Sequence, residues 1–315
     1  MISILSRILK RVHLHITFAL LSGPFLAGSQ AEAADVANTP ATKAACAIFA
    51  GGVAGVADLT VSANSAGFRA AGGGLYLHNN GWGSLNVAQR KQVLEIFSNA
   101  PVAIELGFGG SKSSAAAWAK ACRNNYLNPG IKPAFIAANA FAGNNHPTPE
   151  QWADYMTALH SAGVPESTLI LPTFEYQNFR PNLATLAQNV VSQRADFQAI
   201  IRRAGGIVLD TPSGYFFSRE PAYRDWVVDA IHWTRAQGLK AVVIASPHSS
   251  KDAFAADTRR FLEYLQAQQA VPDIFAVENY NPKAPVDYPN VVGNENKPNT
   301  ALGVARWLQS QTGTR

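Results

Sequence analysis

From Gly74 onward the hydrophobic and polar positions alternate on two scales. Short apolar runs rich in Val, Ile, Leu and Phe occupy Leu75–His78, Val102–Phe108, Pro133–Ala138, Thr168–Phe174, Gly206–Asp210, Ala241–Ala245, Ile274–Glu278 and Val291–Gly293. Longer amphipathic stretches separate them. Continuous apolar runs of this length, bounded by turn residues, predict strands buried on both faces; the longer stretches predict helices. The ends of the helical stretches carry their own signals. Asn86 stands where it can cap Val87–Phe97. Thr148-Pro149-Glu150 places a cap residue before a proline at the first helical position, where the missing N–H costs nothing. Gly163, Gly205 and Gly238 fall where a helix end wants a residue tolerant of positive φ.

Strand-then-helix units repeating about every 30 residues predict an α/β fold of the (β/α)8 TIM barrel type, which needs about 250 residues. Residues 74–315 supply that length, so the barrel domain is placed there. The competing open doubly wound sheet carries a Gly-rich dinucleotide turn after its first strand. No such turn follows the first run here; Gly107-Phe108-Gly109-Gly110-Ser111 comes after the second. The last unit is irregular, because the seventh and eighth runs begin only about 17 residues apart. Residues 34–73, rich in Ala, Gly and Ser, are assigned as an N-terminal lead-in segment. Within them Ala45–Val61 is apolar but broken by Gly51, Gly52, Gly55 and Asp58, and reads as one or two short strands or as part of the lead-in.

Residues 1–33 read as a secretory signal peptide. Arg7, Lys10 and Arg11 form a basic start, Ile16–Ala27 is apolar, and Ala31-Glu32-Ala33 supplies the small residues before a cleavage point. The apolar stretch is short for a membrane span of about 20 residues, so cleavage is expected rather than a stable anchor. Export to the periplasm or the exterior follows. There, Cys46 and Cys122 become a candidate disulfide, with two buried thiols as the alternative.

Composition narrows the function classes. Of 315 residues, 47% are hydrophobic and 15% charged, which excludes a disordered chain, a coiled coil and a polytopic membrane protein. The net charge of +5 falls to +3 once residues 1–33 are removed. That is too weak to indicate nucleic acid or an anionic membrane as a partner. Two cysteines are too few for a cysteine-based zinc site, and His146 and His160 are too scattered for another metal centre. No cofactor or metal is expected, and the oligomeric state is not readable.

The candidate chemistry lies at the ends of the runs. In a parallel barrel the C-terminal strand ends converge on one face, which carries the site. Those ends read His78-Asn79-Asn80-Gly81-Trp82, Glu105, Asn139, Glu175-Tyr176-Gln177-Asn178, Asp210-Thr211, Ser246-Pro247-His248, Glu278-Asn279-Tyr280-Asn281 and Asn294-Glu295-Asn296. Placing so many polar groups at buried strand ends is costly unless they are paired or used.

By this count Glu175 ends the fourth run and Glu278 the seventh. The arrangement resembles the clan A retaining glycoside hydrolases, which are (β/α)8 barrels with an acid/base glutamate at the end of strand four and a nucleophilic glutamate at the end of strand seven. The resemblance is one of layout over residues 74–315. The Asn-Glu pair usual on strand four is missing, since Phe174 precedes Glu175, and Asn294-Glu295-Asn296 replaces the tryptophan often found after strand eight. The resemblance implies that Glu175 is the acid/base and Glu278 the nucleophile, the two carboxyl groups about 5–5.5 Å apart. Asp210 is the alternative acid. His78, Asn79, Trp82, Glu105, Asn139, Tyr176, Asp210, Tyr215, His248, Tyr280 and Glu295 are the candidate substrate-binding residues, with Phe179, Phe216, Asn178 and Asn281 as further stacking or amide groups. A poly- or oligosaccharide is the expected partner. Two other readings stand beside this one. The first is a carbohydrate-binding barrel without activity. The second is a metal-dependent phosphodiesterase barrel, which His78 and Glu105 fit but Gly107 does not, standing where that family has an aspartate. A serine hydrolase is disfavoured because the chain has no Gly-x-Ser-x-Gly elbow.

Overall fold

The computed structural model describes residues 45–50, 66, 74–97, 100–141, 146–175, 190–212, 216–217, 221–246, 254–278, 296 and 299–312. All of them lie in the compact unit Ala41–Arg315. Eight parallel strands close into a barrel in chain order: β1 (Ala45–Ala50), β2 (Gly74–His78), β3 (Val102–Gly107), β4 (Pro133–Phe141), β5 (Leu169–Glu175), β6 (Gly206–Pro212), β7 (Lys240–Ser246) and β8 (Ile274–Glu278). Between and after them run α1 (Asn79–Ser84), α2 (Val87–Ile96), α3 (Lys112–Cys122), α4 (Pro149–Ser161), α5 (Ala195–Ala204), α6 (Pro221–Ala236), α7 (Phe254–Ala267) and α8 (Ala301–Thr312). Among the described residues no helix is long and apolar enough to cross a membrane.

The barrel is the predicted fold, but it is counted differently. Strands β2 to β8 fall on the first seven predicted runs. The remaining strand, β1, comes from the segment assigned as a lead-in, and it pairs with β2 on one side and β8 on the other. The barrel therefore begins at Ala45, not at residue 74, and closes at Ile274–Glu278 without the run Val291–Gly293, which lies outside the described residues. The sequence of β1, ACAIFA, is half alanine and holds one β-branched residue, Ile48. Backbone pairing on both sides holds it where propensity alone does not.

Local chemistry sets the helix ends as expected. Asn86 and Gln89 exchange side-chain-to-backbone bonds at the start of α2, and Thr148 and Gln151 do the same at α4 around Pro149. Each box satisfies two N–H groups that the first turn leaves open. Gly205 closes α5 at φ +80, a conformation in which a side chain would be strained. At the end of β3 close packing requires a glycine, since a Cβ on Gly107 would lie 2.1 Å from the Trp118 ring, and Ser111 then caps α3.

Strand alternation divides the core in two. Leu75, Leu77, Ile104, Leu106, Ile136 and Ile170 face outward into the layer between sheet and helices. Tyr76, Ala103, Phe135, Ala137, Leu171, Val208, Val242, Ile244 and Ala276 fill the interior. Tyr76, Ala137, Val208 and Ala276 come from alternate strands, as one interior layer of such a barrel requires. The next inward position on each of those four strands, toward its C-terminal end, is His78, Asn139, Asp210 and Glu278.

Candidate functional site

The apolar filling gives way to polar side chains at one level of the barrel. Glu105 of β3 is buried at 6% exposure. The Tyr76 hydroxyl donates to its Oε2 at 2.9 Å, and the Asn139 amide donates to its Oε1 at 3.0 Å. The Nε2 of His78 lies 3.3 Å from the same Oε1. Burial first, then the charge and hydrogen bond of Glu105, then the charges of Asp210 and Glu278, hold the Tyr76 phenol well above its ordinary pKa. The hydroxyl therefore stays protonated and keeps donating. Acidic groups from β3, β6 and β8 thus act on one hydroxyl at the mouth, and Glu278 among them is buried at 3% exposure. On the wall between β4 and β5, Asn139 and Thr173 are register partners. Asn139 Oδ1 and Thr173 Oγ1 have no hydrogen-bond partner among the described residues.

His78, Glu105, Asn139, Asp210 and Glu278 are therefore brought to one end of the barrel, as the strand-end reading expects. Glu175 is the last residue of β5, at the register position beside Asp210 of β6; its side chain lies outside the described residues. Because β1 precedes the predicted first strand, Glu175 and Glu278 end β5 and β8, not strands four and seven. Strands four and seven end in Phe141 and Ser246. The layout drawn from the glycoside hydrolase resemblance is corrected by one strand, although the two glutamates remain three strands apart.

Other expectations change more. Trp82 is fully buried, stacked on Tyr126 at 6.1 Å between centroids, with its indole N–H bonded to the Asn125 carbonyl. It is a core residue, not a sugar platform. Asn79 turns the same way and accepts from the Tyr126 hydroxyl at 3.3 Å. Both sit on α1, whose first turn carries them from the barrel axis toward α3 and the π-helical turn Arg123–Leu127 behind it. Phe216 is buried among Phe217, Tyr223, Phe261 and Tyr264. Cys122 is a free, buried thiol at the end of α3, so it forms no disulfide with Cys46 on β1; burial pushes it up to about 12. Tyr176, Asn178, Phe179, Tyr215, His248, Tyr280, Asn281 and Glu295 lie outside the described residues.

Tyr76 and Thr173 are site residues that the strand-end reading misses. Both sit inside apolar runs, and only their inward parity marks them: Tyr76 shares it with His78, Thr173 with Leu171.

A second polar cluster lies where the chain enters α4 and α5. His146 stacks on Phe141 at 6.1 Å and meets Phe197 edge-on at 4.9 Å. Arg194 donates to its Nε2 at 3.0 Å and also pairs with Asp196. An arginine can only donate, so the imidazole is neutral and carries its proton on Nδ1. That atom is buried, without a partner among the described residues.

Among the described residues no group of three or more His, Cys, Asp and Glu is arranged to hold a metal ion. No protein-family model and no curated protein matches the sequence. Solved structures resemble it distantly. XacCel5A in complex with cellopentaose is 12% identical with a TM-score of 0.49, covering 85% of this chain and 99% of that one. KGPDC from Streptococcus mutans is 8% identical with a TM-score of 0.44, covering 86% and 97%. The lead(II) complex of Haloferax volcanii malate synthase is 11% identical with a TM-score of 0.46, covering 87% and 74%. Their functions are mixed, and likenesses this remote carry no weight for activity; the barrel rests on its own strand pairing.

Proposed function

We propose that the chain is an exported glycoside hydrolase that cleaves a poly- or oligosaccharide by a retaining mechanism, with Glu278 as nucleophile and Glu175 as acid/base. The observation that supports it is the convergence of acidic groups from β3, β6 and β8 on the Tyr76 hydroxyl in the barrel mouth. A retaining mechanism needs one carboxyl group that delivers a proton and another that attacks as a carboxylate, and the mouth supplies acidic groups from several strands. After the one-strand correction the two glutamates no longer fall on strands four and seven, on which the resemblance rests, but they still end strands three apart, β5 and β8. Asp210, beside Glu175, is the alternative acid.

The test is release of reducing ends from a panel of polysaccharides. Glu278→Gln and Glu175→Gln are each expected to lower turnover about a thousandfold with an unchanged melting profile. Full activity in either variant removes that residue from its role. Saccharide binding without hydrolysis, equal in wild type and Glu278→Gln, replaces the enzyme with a binding barrel.

A further inference from the structure

Glu105 is a candidate substrate ligand by its position, but its surroundings argue for another task. Its carboxylate is buried and already accepts from Tyr76 and Asn139, with His78 in contact as well. A carboxylate offers about four acceptor sites, so little capacity is left for a ligand. The same contacts fix its orientation: Tyr76 holds Oε2, while Asn139 and His78 share Oε1. His78 is the last residue of β2, and its side chain is 25% exposed. A fixed carboxylate gripping one ring nitrogen sets both the orientation of an imidazole and the nitrogen that carries its proton.

We infer that Tyr76 and Glu105 are positioning residues for His78, and that His78 is the member of this cluster that meets the ligand, through a hydrogen bond to a sugar hydroxyl. The identity of that ligand rests on the carbohydrate reading; the carboxylate–imidazole pair does not.

The experiment titrates the full chain, labelled with ¹⁵N-histidine, by NMR, with His78 assigned through His78→Asn. The ionisable groups around the pair are Tyr76 on β2, Glu105 on β3, Asp210 on β6 and Glu278 on β8, with Tyr126 beyond Asn79. Glu105→Gln removes the neighbouring negative charge, so the His78 midpoint is expected to fall by about one pH unit. Tyr76→Phe strips a donor from Glu105 and leaves its charge, so the midpoint is expected to rise. Midpoints unmoved in both variants overturn the inference, and if Glu105→Gln does not fold, Tyr76→Phe decides. Neutral oligosaccharides from the panel are expected to perturb the His78 ring signals in wild type. Their affinity should drop about tenfold in Glu105→Gln, the size of a lost outer-shell partner, and recover in part in Glu105→Asp. No saccharide effect on His78 also overturns it. If the midpoints move and the saccharide binds but nothing is hydrolysed, the positioning stands and the hydrolase reading falls. Hydrolysis with an unmoved His78 gives the reverse.

Discussion

Trp82 is the largest side chain whose role its position in the chain misstates. It follows a strand end closely, yet α1 begins at Asn79 and rotates it into the outer core against Tyr126. Trp82→Ala is therefore expected to cost about 3–5 kcal/mol, measured by denaturant unfolding, with no selective loss of saccharide binding. A loss of binding at unchanged stability would return Trp82 to the site. Cys122, buried and held in its thiol form, is expected to resist alkylation at pH 8 in the native protein and to react once unfolded. Gel mobility of the oxidised protein should not change on reduction. Polarity at strand ends was a sound guide for His78, Glu105, Asn139, Asp210 and Glu278, because a closed parallel barrel leaves their inward positions no other place to go. It stopped working one residue past β2, where the first turn of α1 redirects Asn79 and Trp82. It was also blind to Tyr76, an aromatic residue in an apolar run that reads as packing until its hydroxyl is seen on Glu105.

At the scale of single elements, helix ends were the most legible feature, since a cap is decided within four residues. Thr148→Ala is expected to destabilise the fold by about 1 kcal/mol, read as a lower melting temperature. The His146 cluster was not legible, because its contacts join two separate helix entries. Burial first, then the positive charge of Arg194, lowers the pKa of His146 from 6.5, with Asp196 pulling the other way. A histidine whose folded pKa is depressed takes up its proton more readily in the unfolded chain. Stability is therefore lost as the pH falls below about 6.5 toward the folded value. Asp196, held below its ordinary pKa chiefly by its hydrogen bond to Arg194, contributes stability above its unfolded value, lost as the pH falls through the folded one. The corner thus weakens in two acid windows. His146→Gln is expected to flatten the first, measured as melting temperature between pH 7.5 and 5, and to leave the second, below about pH 4, in place. An unchanged profile between pH 7.5 and 5 would show that His146 is not responsible.

For the whole molecule, the seam between β1 and β8 decides what counts as a domain. A chain starting at residue 74 leaves β2 and β8 with open edges and is expected not to melt cooperatively, whereas one starting at residue 41 should melt like the full chain, followed by calorimetry. A cooperative transition in the shorter chain would show that β1 is dispensable. The barrel itself was legible because seven of its strands fall on apolar runs separated by longer amphipathic stretches. Its first strand was legible only as one of two alternatives, short strand or lead-in, because ACAIFA is as small and plain as the Gly- and Ala-rich residues around it, and only pairing partners far along the chain decide between them. Leaving it out of the count displaced the strand numbers on which the glycoside hydrolase resemblance was laid.

The ring is shut by its earliest and latest staves, so Phe49 waits for Glu278, nearly the full length of the barrel later. Whether the polypeptide emerges from a ribosome or through a translocase, closure is postponed until almost all of it has arrived. Long-range pairings of this kind are slow to form, and the half-built ring offers two sticky rims in the meantime. The glutamate proposed as nucleophile arrives on the last stave, so the nascent protein can bond nothing covalently at that site before it is whole.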